Sequence, residues 1–141
     1  VLASQTAGAA LKIISGYRSF ETQKNLKSKY KVTYGSGANT FSAEQGYSEH
    51  QLGTTVDVTT PALGVSFEKF DTTTAYFWLT ENAYRYGFVL SYPKGNAYYI
   101  YEPWHWRYVG VELATKLHTD KKNFYDMDQR ELNEYLVKIF D

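Results

Sequence analysis

The sequence contains no cysteine, only 3 prolines and no long apolar run. The lack of cysteine excludes disulfide bonds, a thiolate nucleophile, and zinc or iron–sulfur sites built on cysteine. The longest uninterrupted apolar stretches span only a few residues, well short of the ~20 residues that a membrane-spanning helix needs. We therefore expect no membrane contact by this domain.

The sequence also lacks a net charge, because 15 lysines and arginines balance 15 aspartates and glutamates. Binding to nucleic acid or anionic lipid through bulk electrostatics requires a surplus of basic residues. We therefore expect neither partner. The oligomeric state leaves no signal in the sequence, so a monomer is only the default expectation.

The chain has 141 residues, of which 43% are hydrophobic. This length fits one domain, since a single core typically serves ~100–200 residues, and we interpret residues 1–141 as that domain. The 14 tyrosines have an apolar ring and a polar tip, which suits either a thin core or a wet pocket. Because the chain begins at Val1 rather than Met, we expect a missing upstream segment that would carry any targeting sequence or anchor.

Hydrophobic periodicity predicts helices and short strands along the whole chain. Ser19 is predicted to cap one helix, and Asp71 to cap another that ends at Gly87. Together these elements predict an α+β fold, a small antiparallel sheet with flanking helices. The predicted helices are part of 2–10, 20–30, 71–86, 111–117 and 128–140; the predicted strands are 12–17, 54–60, 88–91, 97–101 and 105–109, with a turn at 93–96.

Residues 31–48 are rich in Gly, Ser, Asn and Thr and are predicted to form one long loop, a feature that in compact domains tends to be functional. The strand that follows alternates, so Val56 and Val58 are predicted to face the core. Asp57 is then placed on the opposite face of that strand. A carboxylate in a strand costs free energy unless it is exposed, paired or bound to a cation.

Two short segments contain the residues most suited to chemistry. His50 and Asp57 lie seven positions apart, and Gly53 between them allows a tight turn that brings their side chains together. Glu102 and His105 flank a proline that disfavours helical geometry at Glu102. A turn must therefore bring the Glu102 and His105 side chains to one side.

Two neutral imidazoles and one carboxylate form the ligand set typical of a catalytic zinc site, with a fourth position left for water. Here the candidate ligands are His50, Asp57 and His105, and zinc lowers the pKa of such a water to ~7. Glu102 is the candidate base that takes its proton. The alternative is that each histidine is simply packed and hydrogen-bonded, which we predict for His118. For His50 or His105 alone the two interpretations are balanced, and the four residues together favour the metal.

These segments resemble motifs of the VanY-type D-alanyl-D-alanine carboxypeptidases of bacteria. Residues 48–57, SEHQLGTTVD, resemble the S-x-H-x-x-G-x-A-x-D motif of that family. Residues 102–110, EPWHWRYVG, resemble its E-P-W-H-x-R-Y-V-G motif. Residues 15–19, SGYRS, followed by Gln23, resemble its S-G-Y-R-S…Q segment. The three matches come in family order and span most of the chain.

The resemblance implies an α+β fold shared with lysostaphin-type and hedgehog-like domains. It implies zinc bound by His50, Asp57 and His105, with Glu102 as the general base. It further implies that Arg18 contacts the scissile carbonyl or the terminal carboxylate of a peptidoglycan stem peptide. Gln23 and Ser48 are implied to line the pocket. Independently of the family, Trp104 is expected either to wall the pocket or to hold the turn.

The sequence departs from the family pattern at three places. Thr55 replaces an alanine, and its hydroxyl would either hydrogen-bond Asp57 or crowd it. Ser91 replaces a basic residue before Tyr-Pro, which puts recognition of a substrate carboxylate in question. Residues 45–46, Gln-Gly, replace Pro-Gly, a minor change. Arg107 shares a predicted strand face with His105 and is expected either to support the site or to form a structural ion pair.

The function we predict is zinc-dependent removal of a C-terminal D-alanine from peptidoglycan stem peptides. No residue pattern distinguishes a D,D bond from an L,D bond. The alternatives are a cell-wall endopeptidase or endolysin on the same scaffold, and a non-catalytic zinc module that binds wall peptide. The resemblance places the domain outside the cytoplasm, either secreted or anchored at the bacterial cell surface.

Overall fold

An antiparallel sheet of four strands forms the centre of the structure, a computed structural model that describes residues 1–34 and 43–136. The sheet order is β1-β2-β4-β3, and helices flank it, so the predicted α+β fold is confirmed. The described part of the chain has no helix long and apolar enough to cross a membrane. The strands are β1 (Lys12–Ser15), β2 (Thr55–Thr59), β3 (Phe88–Leu90) and β4 (His105–Tyr108); the helices are α1 (Leu2–Thr6), α2 (Phe20–Tyr34), α3 (Thr74–Asn82), α4 (Val111–Asp120) and α5 (Gln129–Leu136).

The sheet has an apolar face and a polar face because side chains alternate along each strand. Val58 of β2 and Trp106 of β4 are buried on the apolar face, in a cluster with Leu79 of α3. Asp57 and His105 alternate with these residues and lie on the other face. The prediction that Val58 faces the core is confirmed, and Val56 packs against the same cluster while remaining partly exposed.

A second apolar cluster lies between α4, α5 and the end of β4. Leu113 and Leu117 of α4 are buried there with Leu132 of α5, at the spacing expected for one face of a helix. The cluster anchors a short 3-10 turn at Phe124–Asp126, through the buried ring of Phe124. The C-terminal helices are therefore part of the folded unit rather than a separate appendage.

The helix ends follow the predicted signals in part. Ser19 caps α2, since its hydroxyl accepts the Thr22 N–H at 3.1 Å. Asp71 does not cap α3; that prediction was wrong, because Thr73 holds the cap position and accepts the Tyr76 N–H at 3.2 Å. The predicted helix to residue 86 also divides, with α3 ending at Asn82 and a 3-10 turn completing it to Tyr86.

Several element boundaries differ from those predicted, for example at the end of α4, which extends to Asp120. The predicted loop at 31–48 begins too early, because α2 continues to Tyr34. Residues 35–42 of that loop lie outside the described residues. The last predicted helix is observed as α5, and its predicted positions 137–140 lie outside the described residues as well.

The predicted strand at 97–101 is wrong. The Asn96 side-chain oxygen accepts the N–H groups of Tyr98 and Tyr99, at 3.0 and 2.7 Å. Those two N–H groups are therefore unavailable to a sheet ladder. Instead β3 pairs directly with β4, in the register Phe88 to Tyr108. The turn at 93–96 is present, with the Asn96 N–H donating to the Pro93 carbonyl.

Substitution of Gly87 tests the packing at the end of the 3-10 turn. Gly87 has a φ of +79°, and a Cβ there would lie 2.6 Å from Tyr108 Cε2 and 3.0 Å from the Gly110 carbonyl carbon. Gly87→Ala should lower the free energy of unfolding for two reasons, the positive φ and the overpacking against Tyr108. We expect the overpacking to contribute about 1–3 kcal/mol beyond the cost of the backbone conformation.

The control is Gly95→Ala, since Gly95 has a similar φ of +82° with nothing within 4 Å of its Cβ position. Denaturant unfolding followed by tryptophan fluorescence measures both variants. Equal losses of stability would show that the close approach to Tyr108 has no energetic consequence.

Candidate metal centre

A cavity of about 290 Å³ opens on the polar face of the sheet. Every residue that the sequence singled out for catalysis, substrate binding or metal binding lines this cavity. Side chains from β2, β4, α2 and the loops between them therefore meet at one place. These predicted residues are Arg18, Gln23, Ser48, His50, Asp57, Glu102, Trp104 and His105.

The sheet register brings Asp57 and His105 together. They are direct partners in the antiparallel pair of β2 with β4, and both are buried. His50 arrives from a 3-10 turn at Glu49–Leu52, just before β2. Gly53 ends that turn with a φ of +73°, a conformation that glycine adopts without steric cost. Gly53 thus allows the predicted tight turn that brings the His50 side chain over Asp57.

His50 directs its Nε2 atom into the cavity. Its Nδ1 lies 2.7 Å from the Gly16 carbonyl oxygen, which can only accept, so Nδ1 carries the proton. The other nitrogen, Nε2, is buried 3.1 Å from Asp57 Oδ2 and has no hydrogen-bond partner among the described residues. Nε2 is therefore the His50 atom placed to bind a cation beside that carboxylate.

His105 is held on both sides. Its Nε2 lies 2.7 Å from Glu49 Oε2 and its Nδ1 lies 3.1 Å from Asp57 Oδ1. Burial lowers the pKa of His105, but hydrogen bonds to Asp57 and Glu49 outweigh it and raise the pKa to about 9. Without a bound cation the imidazole therefore carries a proton on each nitrogen. A metal ion in place of the Nδ1 proton would satisfy the same carboxylate.

One atom each from His50, Asp57 and His105 lies within 4.8 Å of the other two. Burial alone would raise the pKa of Asp57, but the hydrogen bond with His105 and the proximity of His50 hold it well below its usual range. The carboxylate is therefore charged, and both histidines offer nitrogen. A buried carboxylate with two imidazoles matches the ligand types that zinc accepts, so the residues present fit a divalent metal ion.

Glu102 lies beside this group without belonging to it. The turn predicted at Pro103 and Trp104 is present, with the His105 N–H donating to the Glu102 carbonyl at 3.1 Å. The Glu102 carboxylate lies 3.5 Å from His105 Nδ1. Burial, together with the negative charges of Asp57 and Glu49, raises the pKa of Glu102 to about 7. His105 and Arg18 lower this pKa, but by less.

Arg18 brings a guanidinium group into the same cavity. Its Nη2 lies 3.6 Å from Asp57 Oδ2, and its Nη1 donates to Gln23 Oε1 at 3.2 Å. The Gln23 amide nitrogen in turn donates to the Ala43 carbonyl at 2.8 Å. Gln23 therefore orients Arg18 as well as lining the cavity. The Nε of Arg18 is buried with no hydrogen-bond partner among the described residues.

Ser48 and Trp104 form parts of the wall. Ser48 is buried at the start of the 3-10 turn that carries His50. The Trp104 ring stacks on Phe67, with ring centroids 4.8 Å apart and planes 17° from parallel. Trp104 therefore both lines the cavity and packs within the turn, so the two expected roles coexist.

Glu49 is the residue that sequence reasoning missed. It occupies the variable position between Ser48 and His50 in the motif, so nothing in the motif drew attention to it. Its side chain is buried and contacts His105, Arg107 and Tyr125. The one available signal was a carboxylate next to a candidate metal ligand, on a turn that brings it inward.

The departures from the family pattern have clear structural outcomes. Ser91 is fully buried and its hydroxyl donates to Glu49 Oε2 at 2.8 Å. Position 91 does not line the cavity described above, so a basic residue there would meet Glu49 before any substrate. Thr55 is also buried, and its hydroxyl has no partner among the described residues. Of the two alternatives expected for Thr55, the hydrogen bond to Asp57 is therefore not formed.

The remaining two residues lie outside the metal group. Arg107 forms an ion pair with Glu49, with Nη1 and Oε1 2.7 Å apart. It thus forms an ion pair, one of its two expected roles, and its partner Glu49 in turn contacts His105. His118 stacks on Tyr84, with ring centroids 3.8 Å apart. The His118 ring therefore packs against a neighbouring side chain, as predicted, while the residue itself is exposed.

The sequence matches known proteins over most of its length. The family model VanY, described as D-alanyl-D-alanine carboxypeptidase, matches residues 1–111. YodJ of Bacillus subtilis (strain 168), provisionally named a carboxypeptidase, is 38% identical over 97% of this chain and 49% of its own. A D-alanyl-D-alanine carboxypeptidase of Enterococcus faecalis is 38% identical over 75% of this chain and 42% of its own. The chain thus spans less than half the length of these two curated relatives.

Solved structures share the fold. The LD-carboxypeptidase LdcB superposes with a TM-score of 0.78 at 35% identity, covering 96% of this chain and 62% of its own. The D,D-pentapeptidase VanY of a VanB-type resistance cassette, solved with Zn(II), gives a TM-score of 0.73 at 34% identity and covers 95% of this chain and 75% of its own. VanYB in complex with D-Ala-D-Ala gives 0.71 at 33% identity, covering 96% and 75%.

Removal of one imidazole tests the metal centre directly. We expect His50→Ala to lose stoichiometric zinc binding, because one of the three converging donors is gone. Competition with a chromophoric chelator measures the affinity of the wild type and the variant. His118→Ala is the control, since it removes a histidine that stacks on Tyr84. If both variants bound zinc as the wild type does, these three residues would not form the site.

Proposed function

The chain belongs to the VanY family of D-alanyl-D-alanine carboxypeptidases, and on this basis we propose that it is a zinc-dependent carboxypeptidase. It removes a C-terminal D-alanine from peptidoglycan stem peptides, across a D,D bond, an L,D bond or both. The observation that carries the proposal is the convergence of three metal-binding donors, from His50, Asp57 and His105, beside the buried carboxylate of Glu102.

Glu102 is the general base in this proposal. When bound, zinc would supply Lewis acidity that activates a water molecule and polarises the scissile carbonyl. Glu102 accepts the proton of that water and later donates it to the leaving amine of D-alanine. Its carboxylate is close to the donors but is not one of them, so its lone pairs remain available. A module that only bound peptide would need no base there.

Arg18 selects the substrate end and stabilises developing charge. A guanidinium group presents several N–H donors in one plane and remains charged at any physiological pH. With Nη1 on Gln23 and Nε without a partner among the residues that the structure describes, Arg18 has a donor to offer to a carboxylate or an oxyanion. Such a group favours a carboxypeptidase over an endopeptidase, whose substrate continues past the scissile bond. Ser48 and Trp104 would bound the pocket around the peptide.

The same proposal implies where the domain acts and which residues form it. Peptidoglycan lies outside the cytoplasmic membrane, so the domain would act there, either secreted or anchored at the bacterial cell surface. We propose that residues 1–141 act as a single catalytic domain on the stem peptide. A monomer suffices, since all the proposed site residues come from one chain.

Defined stem peptides test the activity and the bond. We expect release of one D-alanine from a synthetic tetrapeptide, a pentapeptide or both, and loss of that release when a chelator removes the metal. Mass spectrometry of the products shows which bond is cut. The same peptides with an amidated C-terminus are the control, because an enzyme that recognises a free carboxylate should leave them intact.

Three outcomes would contradict the proposal. Internal cleavage of amidated peptides would indicate an endopeptidase. Binding of peptide without any product would indicate a non-catalytic module. Release of D-alanine that a chelator does not reduce would exclude the metal from the reaction.

Substitution of Glu102 tests the general base. We expect Glu102→Gln to lower kcat by about 10²–10⁴-fold, the usual contribution of general acid–base catalysis, because an amide cannot take up the proton. Zinc affinity should change little, since Glu102 is not among the three donors. The matched control is Glu81→Gln, on the exposed side of α3. A Glu102→Gln enzyme with zinc bound and full turnover would overturn the assignment.

A further inference from the structure

We infer that Glu49 is a positioning residue for His105, and that Arg107 and Tyr125 hold the Glu49 carboxylate in the orientation this role requires. The inference rests on the proposed function, because it concerns how one of the proposed zinc ligands is prepared. It assigns a role to two residues outside the cavity and to one that the family motif leaves variable. Glu49 lines the cavity, and the role inferred here acts through its contact with His105.

The Glu49 carboxylate accepts four hydrogen bonds. Oε2 accepts from the Ser91 hydroxyl at 2.8 Å and lies 2.7 Å from His105 Nε2. Oε1 accepts from Arg107 Nη1 at 2.7 Å and from the Tyr125 hydroxyl at 2.6 Å. Two carboxylate oxygens have about four lone-pair sites, so this buried group is fully satisfied. Its orientation is fixed from both sides.

This arrangement selects one tautomer of His105. An ionised carboxylate can only accept, so Nε2 of His105 must be the nitrogen that carries a proton. When the imidazole is neutral, Nδ1 is then the unprotonated nitrogen, and it faces Asp57 at 3.1 Å. A metal ligand of this kind is commonly oriented by a carboxylate on its second nitrogen, which also increases its basicity. Glu49 therefore prepares the nitrogen that the metal needs.

Tyr125 brings the C-terminal segment into this role. It lies in the 3-10 turn at Phe124–Asp126, beyond residues 1–111 that match the family model. The ring of Phe124 anchors this turn in the core between α4 and α5. The guanidinium carbon of Arg107 lies 4.4 Å from the centre of the same ring. Folding of the C-terminal segment therefore places one of the four donors to Glu49, Tyr125, and packs against a second, Arg107.

Glu49→Gln is the informative substitution, because it keeps the shape of the side chain. Arg107 can only donate, so it favours the amide orientation with oxygen toward Arg107 and NH₂ toward His105. In that orientation Nε2 of His105 must accept a hydrogen bond from the amide NH₂, so the imidazole proton moves to Nδ1. We expect zinc affinity to fall about 10–100-fold, the usual cost of losing such an outer partner.

Tyr125→Phe is the second variant, and it removes one donor from Glu49 with little change in volume. We expect about tenfold weaker zinc binding, the lower end of the same range. Tyr98→Phe is the matched control, since the Tyr98 ring lies 5.0 Å from that of Tyr125. Chelator competition on the folded protein gives the zinc affinity, and circular dichroism confirms the fold. At saturating zinc, kcat should fall while KM for the stem peptide stays near the wild-type value.

The outcomes separate this inference from the proposed function. A wild-type protein that binds no zinc would overturn both. A wild type that binds zinc, with Glu49→Gln and Tyr125→Phe equally tight, would overturn this inference alone. If Glu49→Gln does not fold, Tyr125→Phe decides the question. A purely structural role would lower the unfolding temperature of the metal-free protein without changing zinc affinity in the folded state.

Discussion

The pairing of β2 with β4 is the constraint on which the rest of the site depends. Because Asp57 and His105 are direct partners across an antiparallel pair, formation of the sheet brings their side chains into contact. Both are buried, and His50 closes over them from the adjacent turn. A buried carboxylate beside two imidazoles needs positive charge to compensate it, supplied either by a proton or by a metal ion. The sheet thus creates the requirement that a metal ion would meet.

The charge balance around the cavity follows from the same requirement. Three buried carboxylates, those of Glu49, Asp57 and Glu102, lie close to two guanidinium groups, those of Arg18 and Arg107. Arg107 pairs with Glu49 behind the site, and Arg18 lies beside Asp57 inside it. Removing one member of such a buried network leaves an uncompensated charge, which is strongly destabilising. Stability and chemistry are therefore coupled at this position in the fold.

The site also links parts of the chain that are far apart in sequence. Arg18 comes from the segment after β1, Asp57 from β2, and Glu102 from the turn before β4. Tyr125 reaches Glu49 across a sequence separation of 76 residues. The apolar face of the sheet, packed on α3, and the cluster between α4 and α5 hold these segments in place. The polar face can then contain buried charge without the fold opening.

The local sequence determined much of this protein. Residue types and spacing identified His50, Asp57, Glu102 and His105 as a group, and alternation along 54–60 separated Val58 from Asp57. They did so because side-chain direction along a strand and the conformational freedom of glycine are local properties. The strand predicted at 97–101 failed for a local reason as well, since the Asn96 side chain takes backbone N–H groups that the alternation pattern assigned to a sheet.

Only the tertiary structure decided what surrounds these residues. The burial of Ser91 against Glu49, and the hydrogen bonds from Arg107 and Tyr125, depend on contacts between elements that sequence spacing does not relate. The same holds for Gln23, which proved to orient Arg18. Hydrogen-bond partners, desolvation and the choice of tautomer are properties of an enclosed space. That space exists only after the sheet, the turn at Glu49 and the C-terminal helices have packed together.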